Sequence, residues 1–170
     1  YQDPAKFDGG TLLLSTYAFT FQIFCDFSAY SDIAIGSALI FGVKLMNNFD
    51  RPYFAVSIPD FWRRWHISLT TWFRDYLYIP LGGNRGGRLL TLRNLMVTML
   101  LGGLWHGAGW NFIIWGALHG IYYLLEKYFP IKLPSNHKSM IGFMKIIVVF
   151  TFVNFAWIFF RSESVTIAVT

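Results

Sequence analysis

Charge and cysteine are what this sequence has least of. Asp, Glu, Lys and Arg make up 14% of its 170 residues, against roughly 25% in an average soluble domain. That shortage argues against a soluble globular domain, and a hydrophobic content of 55% excludes a disordered tail. The single cysteine, Cys25, leaves no internal disulfide framework and no cysteine zinc site; it is expected to pack in a helix. The first residues lack a basic n-region and a cleavage site, so no signal peptide is expected there. Catalytic motifs are missing too. No Ser sits in a Gly-x-Ser-x-Gly elbow, and Gly82–Gly87 lacks the Lys-Ser/Thr of a phosphate-binding loop. No His-Glu-x-x-His occurs, and His66, His106, His119 and His137 have no local metal spacing.

What the chain has in excess is aromatic side chains, 20% of residues, with 18 Phe, 9 Tyr and 7 Trp. Trp and Tyr concentrate where protein meets the membrane interface. The composition therefore predicts an all-α membrane protein with multi-pass transmembrane helices. The net charge of +5 does not point to nucleic acid, because the basic residues alternate with Trp, Phe and Leu instead of forming a polar face. The chain opens without an initiator Met and ends on the run Ser164–Thr170 with no polar tail, so a piece of a larger multi-pass protein is expected.

The pattern divides the chain into four parts. Residues 11–46 are expected to be membrane helices, long enough for one tilted span or two shorter helices. Asp26 and Asp32 are the only formal charges from Thr11 to Val43, and the run between them is the expected break. Two readings of these carboxylates stay open: helix caps, or part of an ion or proton pathway. Residues 47–93 form a basic interfacial or re-entrant segment. Arg51, Arg63, Arg64, Arg74, Arg85, Arg88 and Arg93 are half of the 14 basic residues, and Pro52, Pro59 and Pro80 punctuate them. Short helices with arginines at headgroup level fit such a segment, and the excess of positive charge puts it on the cytoplasmic side. Residues 94–127 are expected to be membrane helices carrying His106 and His119. A polar connector with His137 follows, and 141–160 is the clearest transmembrane helix.

Gly103/Gly107 and Gly116/Gly120 are Gly-xxx-Gly steps, which let helices approach closely. An imidazole inside an apolar segment must be hydrogen-bonded or must face a cavity. His106 is singled out from the other histidines because the glycines around it, Gly102, Gly103, Gly107 and Gly109, leave room beside it. A neutral imidazole there can accept a proton from an alcohol.

Three blocks go further. Asp60-Phe61-Trp62-Arg63-Arg64-Trp65-His66-Ile67-Ser68-Leu69 resembles the signature of the membrane-bound O-acyltransferase (MBOAT) family, and Trp72-Phe73-Arg74-Asp75-Tyr76-Leu77-Tyr78-Ile79-Pro80-Leu81-Gly82-Gly83-Asn84-Arg85 continues it in register. Leu104-Trp105-His106-Gly107-Ala108-Gly109-Trp110 is similar to the family's second block, and Asp26-Phe27-Ser28-Ala29-Tyr30-Ser31-Asp32 resembles a segment upstream of both. The alginate O-acetyltransferase branch is the most similar.

The resemblance implies that residues 1–170 are part of one MBOAT domain in a bacterial inner membrane. It implies an acyltransferase that takes an acetyl group from a cytoplasmic thioester, acetyl-CoA or an acyl carrier, toward hydroxyls of an exported polysaccharide, directly or through a periplasmic acetyltransferase partner. His106 would be the catalytic base and His66 its catalytic counterpart. Arg63, Arg64, Trp65, Trp105 and Asp75 are the expected substrate contacts; on their chemistry the arginines suit donor phosphate or lipid headgroups, and packing is the favoured alternative for the two tryptophans. No tightly bound cofactor, metal or nucleic acid is implied; the lipid bilayer is. A proton-pathway or transport module, or an inactive scaffold subunit, is the competing expectation.

Overall fold

A computed structural model describes residues 6–129 and 140–169, which are entirely helical and turn, with no strand. The polar connector with His137 lies outside the described residues.

Helix α1 runs from Gly9 to Ile40 without interruption. Asp8 starts it, its Oδ1 accepting from the Gly10 and Thr11 amides at 2.9 and 3.1 Å. Gly42, at φ 73°, ends it in the left-handed cap that glycine allows. The break expected at Asp26–Asp32 does not form. Helices break at Pro, at paired small residues or at bulges, and this stretch contains no Pro or Gly. At 1.5 Å per residue α1 is about 48 Å long, more than the hydrocarbon core of a bilayer. Its buried residues are Thr16, Thr20 and Ser31, while Leu14, Ile33 and Ile40 are exposed. That pattern is the reverse of a water-soluble helix.

A 3-10 turn at Pro52–Phe54 leads to α2 (Ile58–Arg64) and α3 (Ile67–Phe73), which continues as a π turn over Arg74–Tyr78. Ser57 caps α2 through the Asp60 amide at 3.0 Å, and Glu126 Oε2 accepts from the Ile58 amide at 2.6 Å. The end of α5 (Trp110–Tyr128) is thereby tied to the start of α2.

Helices α4 (Arg88–His106) and α5 cross at their glycines. A Cβ on Gly103 would strike the Phe112 carbonyl, and one on Gly116 the Met99 carbonyl. Gly107 is likewise filled by the Phe112 ring and Gly120 by Met96. The packing role of both Gly-xxx-Gly steps is therefore met. Helix α6 (Met140–Arg161) and the short α7 (Val165–Val169) complete the chain. Trp65, Phe61, Trp115, Trp157 and Val153 form the core between α2, α5 and α6. A buried hydrogen bond of 2.5 Å from Thr20 Oγ1 to Asn154 Oδ1 joins α1 to α6.

Among the described residues, α1 and α6 are long and apolar enough to cross a membrane. Helices α4 and α5, which cover 94–127, fall short of that measure. Arg88 and Arg93 open α4, and α5 spends positions on His119, Gly116, Gly120 and a Glu126-Lys127 end.

Candidate active site

His66 immediately precedes α3, and its backbone is left-handed, at φ 46° and ψ 52°. That conformation is uncommon outside glycine. It turns the chain so that the imidazole lies edge-on to Phe27 of α1, with centroids 4.5 Å apart. Burial pushes the His66 imidazole below its ordinary value of 6.5, which favours the neutral ring.

His106 is the last residue of α4, where the extended backbone of Gly107 stops the helix. Its ring lies 5.2 Å from Trp115 of α5 and 5.1 Å from Phe160 of α6. Asn111 holds those helix ends together, donating to the Ser162 carbonyl at 2.9 Å. Between the two histidines stands Trp105, 6.3 Å from His66 and 5.0 Å from His106.

His106 lines a cleft of about 550 Å³. Exposed Arg63, Arg74 and Asn84 contribute to it at one extreme, and buried Trp115 at the other. Apolar walls come from Phe73, Leu95 and Met99, with Thr70, Thr98 and Tyr123 as scattered polar groups. A second hollow of about 500 Å³ is lined by Gln22, Asp26, Phe27, Phe160 and Arg161. Of the residues lining it, Phe27 touches His66 and Phe160 touches His106.

Most of the glycines that suggested room beside His106 do not supply it. Gly103 and Gly107 are filled by Phe112, and a side chain on Gly109 would meet Asn111; only Gly102 borders the cleft. Of the expected contact residues, Arg63 lines the cleft and Trp105 bridges the histidines. Trp65 is 4% exposed and stacks on Phe61 at 5.7 Å, so its part is core packing instead of substrate contact. Arg64 pairs with Asp60 at 3.0 Å, away from the cleft lining. Burial raises the Asp60 carboxyl, but the Arg64 hydrogen bond, the Val56 amide and the charges of Arg64 and Arg63 outweigh it and hold the carboxyl below its usual range. Asp75 grips Arg74 at 2.7 Å, so it acts on the cleft through that guanidinium. His119 is sealed off, fully buried against Trp62 and Trp115. Arg74, Thr70, Asn84 and Tyr123 were not singled out as contacts, because only the packing of α2 against α5 and of the π turn against α4 gathers them.

Residues 8–168 match the model of MBOAT, the membrane-bound O-acyltransferase family. The chain belongs to this family.

Relatives within it are similar over nearly the whole chain. The probable alginate O-acetylase AlgI of Azotobacter vinelandii is 50% identical over 159 residues, 94% of this chain and 31% of the relative. The peptidoglycan O-acetyltransferase of Helicobacter pylori is 47% identical over 151 residues, 89% of this chain and 29% of the relative. The teichoic acid D-alanyltransferase of Bacillus subtilis is 33% identical over 164 residues, 89% of this chain and 41% of the relative. The chain thus spans less than half the length of each of these MBOAT relatives. The His66 and His106 blocks both lie inside the matched region.

Proposed function

We propose that this chain carries the reaction centre of a membrane-bound O-acyltransferase that moves an acetyl group from a cytoplasmic thioester toward hydroxyls of an exported polymer. The observation that supports the reading best is the position of His106: an imidazole on the wall of a mostly apolar cleft whose exposed end carries Arg63 and Arg74. Guanidinium groups suit the phosphates of coenzyme A or of a carrier's phosphopantetheine arm. The apolar interior suits the arm itself and the acetyl group.

His106 removes the proton from the accepting hydroxyl as its oxygen attacks the thioester carbonyl. A new C–O bond forms, the C–S bond breaks, and the thiolate leaves with the proton that His106 returns. His66, joined to His106 through Trp105, aligns donor and acceptor. Holding both reactants at one point is worth up to ~7–11 kcal/mol in intramolecular systems. The names of the AlgI and Helicobacter pylori relatives favour acetyl as the group and a polysaccharide or cell-wall glycan as acceptor, reached directly or through a periplasmic acetyltransferase. The host membrane would be a bacterial inner membrane, crossed several times, with residues 47–93 on the cytoplasmic side.

The test compares polymer-linked acetate in cells making the full-length gene product with wild-type sequence or with His106→Ala, at matched membrane levels. Loss of acetate in the variant supports the reading, and equal acetate overturns the base assignment.

A further inference from the structure

The start of α3 has a capping arrangement that the catalytic reading leaves unexplained. The first amides of a helix need acceptors, and the residue at the N-cap normally supplies one from its side chain. Here that residue is His66, and its side chain makes no capping hydrogen bond. The acceptors come instead from Asn48, far upstream. The Asn48 carbonyl accepts from the Ile67 amide at 3.0 Å. Its side-chain Oδ1 accepts from the Ser68 amide at 3.1 Å and from the Ser68 hydroxyl at 2.6 Å. The remaining arm, Nδ2, donates to Ser31 Oγ of α1 at 3.2 Å.

These four bonds have a common consequence. They cap α3 without using the imidazole, so the ring is left for the site. They hold the two residues after His66, which keeps its backbone in a left-handed conformation that a non-glycine residue retains only when its surroundings enforce it. They also tie that backbone to α1, the helix that supplies the ring's contact, Phe27. Backbone and ring partner of His66 are thus referenced to one residue, Asn48, through its carbonyl and its side chain.

We propose that Asn48 is a positioning residue for His66: by capping α3 in place of the histidine and anchoring it to α1, it sets where the imidazole stands beside Trp105. The inference rests on the role of His66 in acyl transfer. Asn48 touches no reacting atom in this scheme and acts only through the histidine.

The experiment uses the full-length gene product in cells, reading polymer-linked acetate alongside membrane abundance and the thermal midpoint of the detergent-purified protein. Four proteins are compared: wild type, His66→Ala, Asn48→Ala and Asn48→Asp. Asn48→Ala is expected to lower acetylation roughly 10- to 100-fold, the scale of a misplacement of about 1 Å, with abundance and midpoint close to wild type. Asn48→Asp keeps the Oδ acceptor for Ser68 and is expected to recover most of the acetylation. Full acetylation in Asn48→Ala, beside a loss in His66→Ala, overturns the positioning role while leaving His66 its own. A loss in Asn48→Ala that only tracks lost protein overturns it too, as does an Asn48→Asp variant no better than alanine. Unchanged acetylation in His66→Ala removes the role of His66 and the positioning role with it.

Discussion

His66 and His106, which come from different helical segments, share one indole. The Trp105 ring lies 6.3 Å from the first imidazole and 5.0 Å from the second. Each histidine also touches a Phe that lines the second hollow, Phe27 for His66 and Phe160 for His106. Of the two, His106 also lines the cleft that carries Arg63 and Arg74.

Activity should depend on pH through His66. Burial lowers its pKa, so the ring is neutral at pH 7 and protonates only as pH falls through a value below 6.5. The rate of polymer acetylation by membrane vesicles supplied with acetyl-CoA should change little from pH 7.5 to 6.5 and decline at lower pH. A rate that rises on acidification would mean that the imidazolium is the working form.

Arg63 should act on donor binding more than on the chemical step. It lines the cleft, and its side chain is 69% exposed beside the acidic Asp60. Arg63→Ala is expected to raise KM for acetyl-CoA roughly 3- to 10-fold with kcat within about twofold, the pattern of lost uniform binding. Initial rates over a range of donor concentrations check this. An unchanged KM would detach the arginine rim from the donor.

The crossing of α4 and α5 should not tolerate a side chain. Gly116→Val places a branched group where even a Cβ meets the Met99 carbonyl. Backbone cannot swing aside as a flexible side chain can, so the loss should reach at least the usual overpacking cost of about 1–3 kcal/mol. A lower thermal midpoint and reduced membrane abundance are expected. A midpoint equal to wild type would show that the helices can separate freely.

Asp60 and Arg64 should stabilise the fold in a pH window that the carboxylate sets. The folded-state pKa of Asp60 lies below its ordinary 3.8, so its contribution is complete above that value and is lost as pH falls through the lower, folded value. Asp60→Asn removes it at every pH. The gap in thermal midpoint between wild type and variant should be widest near neutrality, equivalent to about 1–3 kcal/mol for a charge-assisted hydrogen bond. It should close as pH drops below 3.8. A gap independent of pH would assign the loss to packing.

Much of the site was legible because chemistry is local in this chain. The blocks around His66 and His106 carry the family resemblance as contiguous residues, and the matched region contains both. The Gly-xxx-Gly steps announced a helix crossing because close approach demands small residues at that spacing. Other signals misled. Two aspartates suggested a break in α1, yet carboxylates do not stop a helix that lacks Pro and Gly there. Glycines beside His106 suggested an open space, yet a glycine opens room only until a neighbour fills it, and Phe112 does so. Trp65 sits next to His66 in sequence but packs into the core against Phe61 and Trp157, while His66 beside it takes the left-handed conformation.

Composition and motif, taken without coordinates, determined an all-helical, membrane-type chain and its family blocks, and singled out His66 and His106 as the candidate site. Tertiary structure alone decided that both meet at Trp105, that His106 and not His119 borders the cleft, and that Asn48 caps a helix whose start lies far along the chain. The difference is physical. Hydrophobic period and residue chemistry are properties of neighbours in sequence, whereas hydrogen-bond partners and cavity walls are set by which helices pack together.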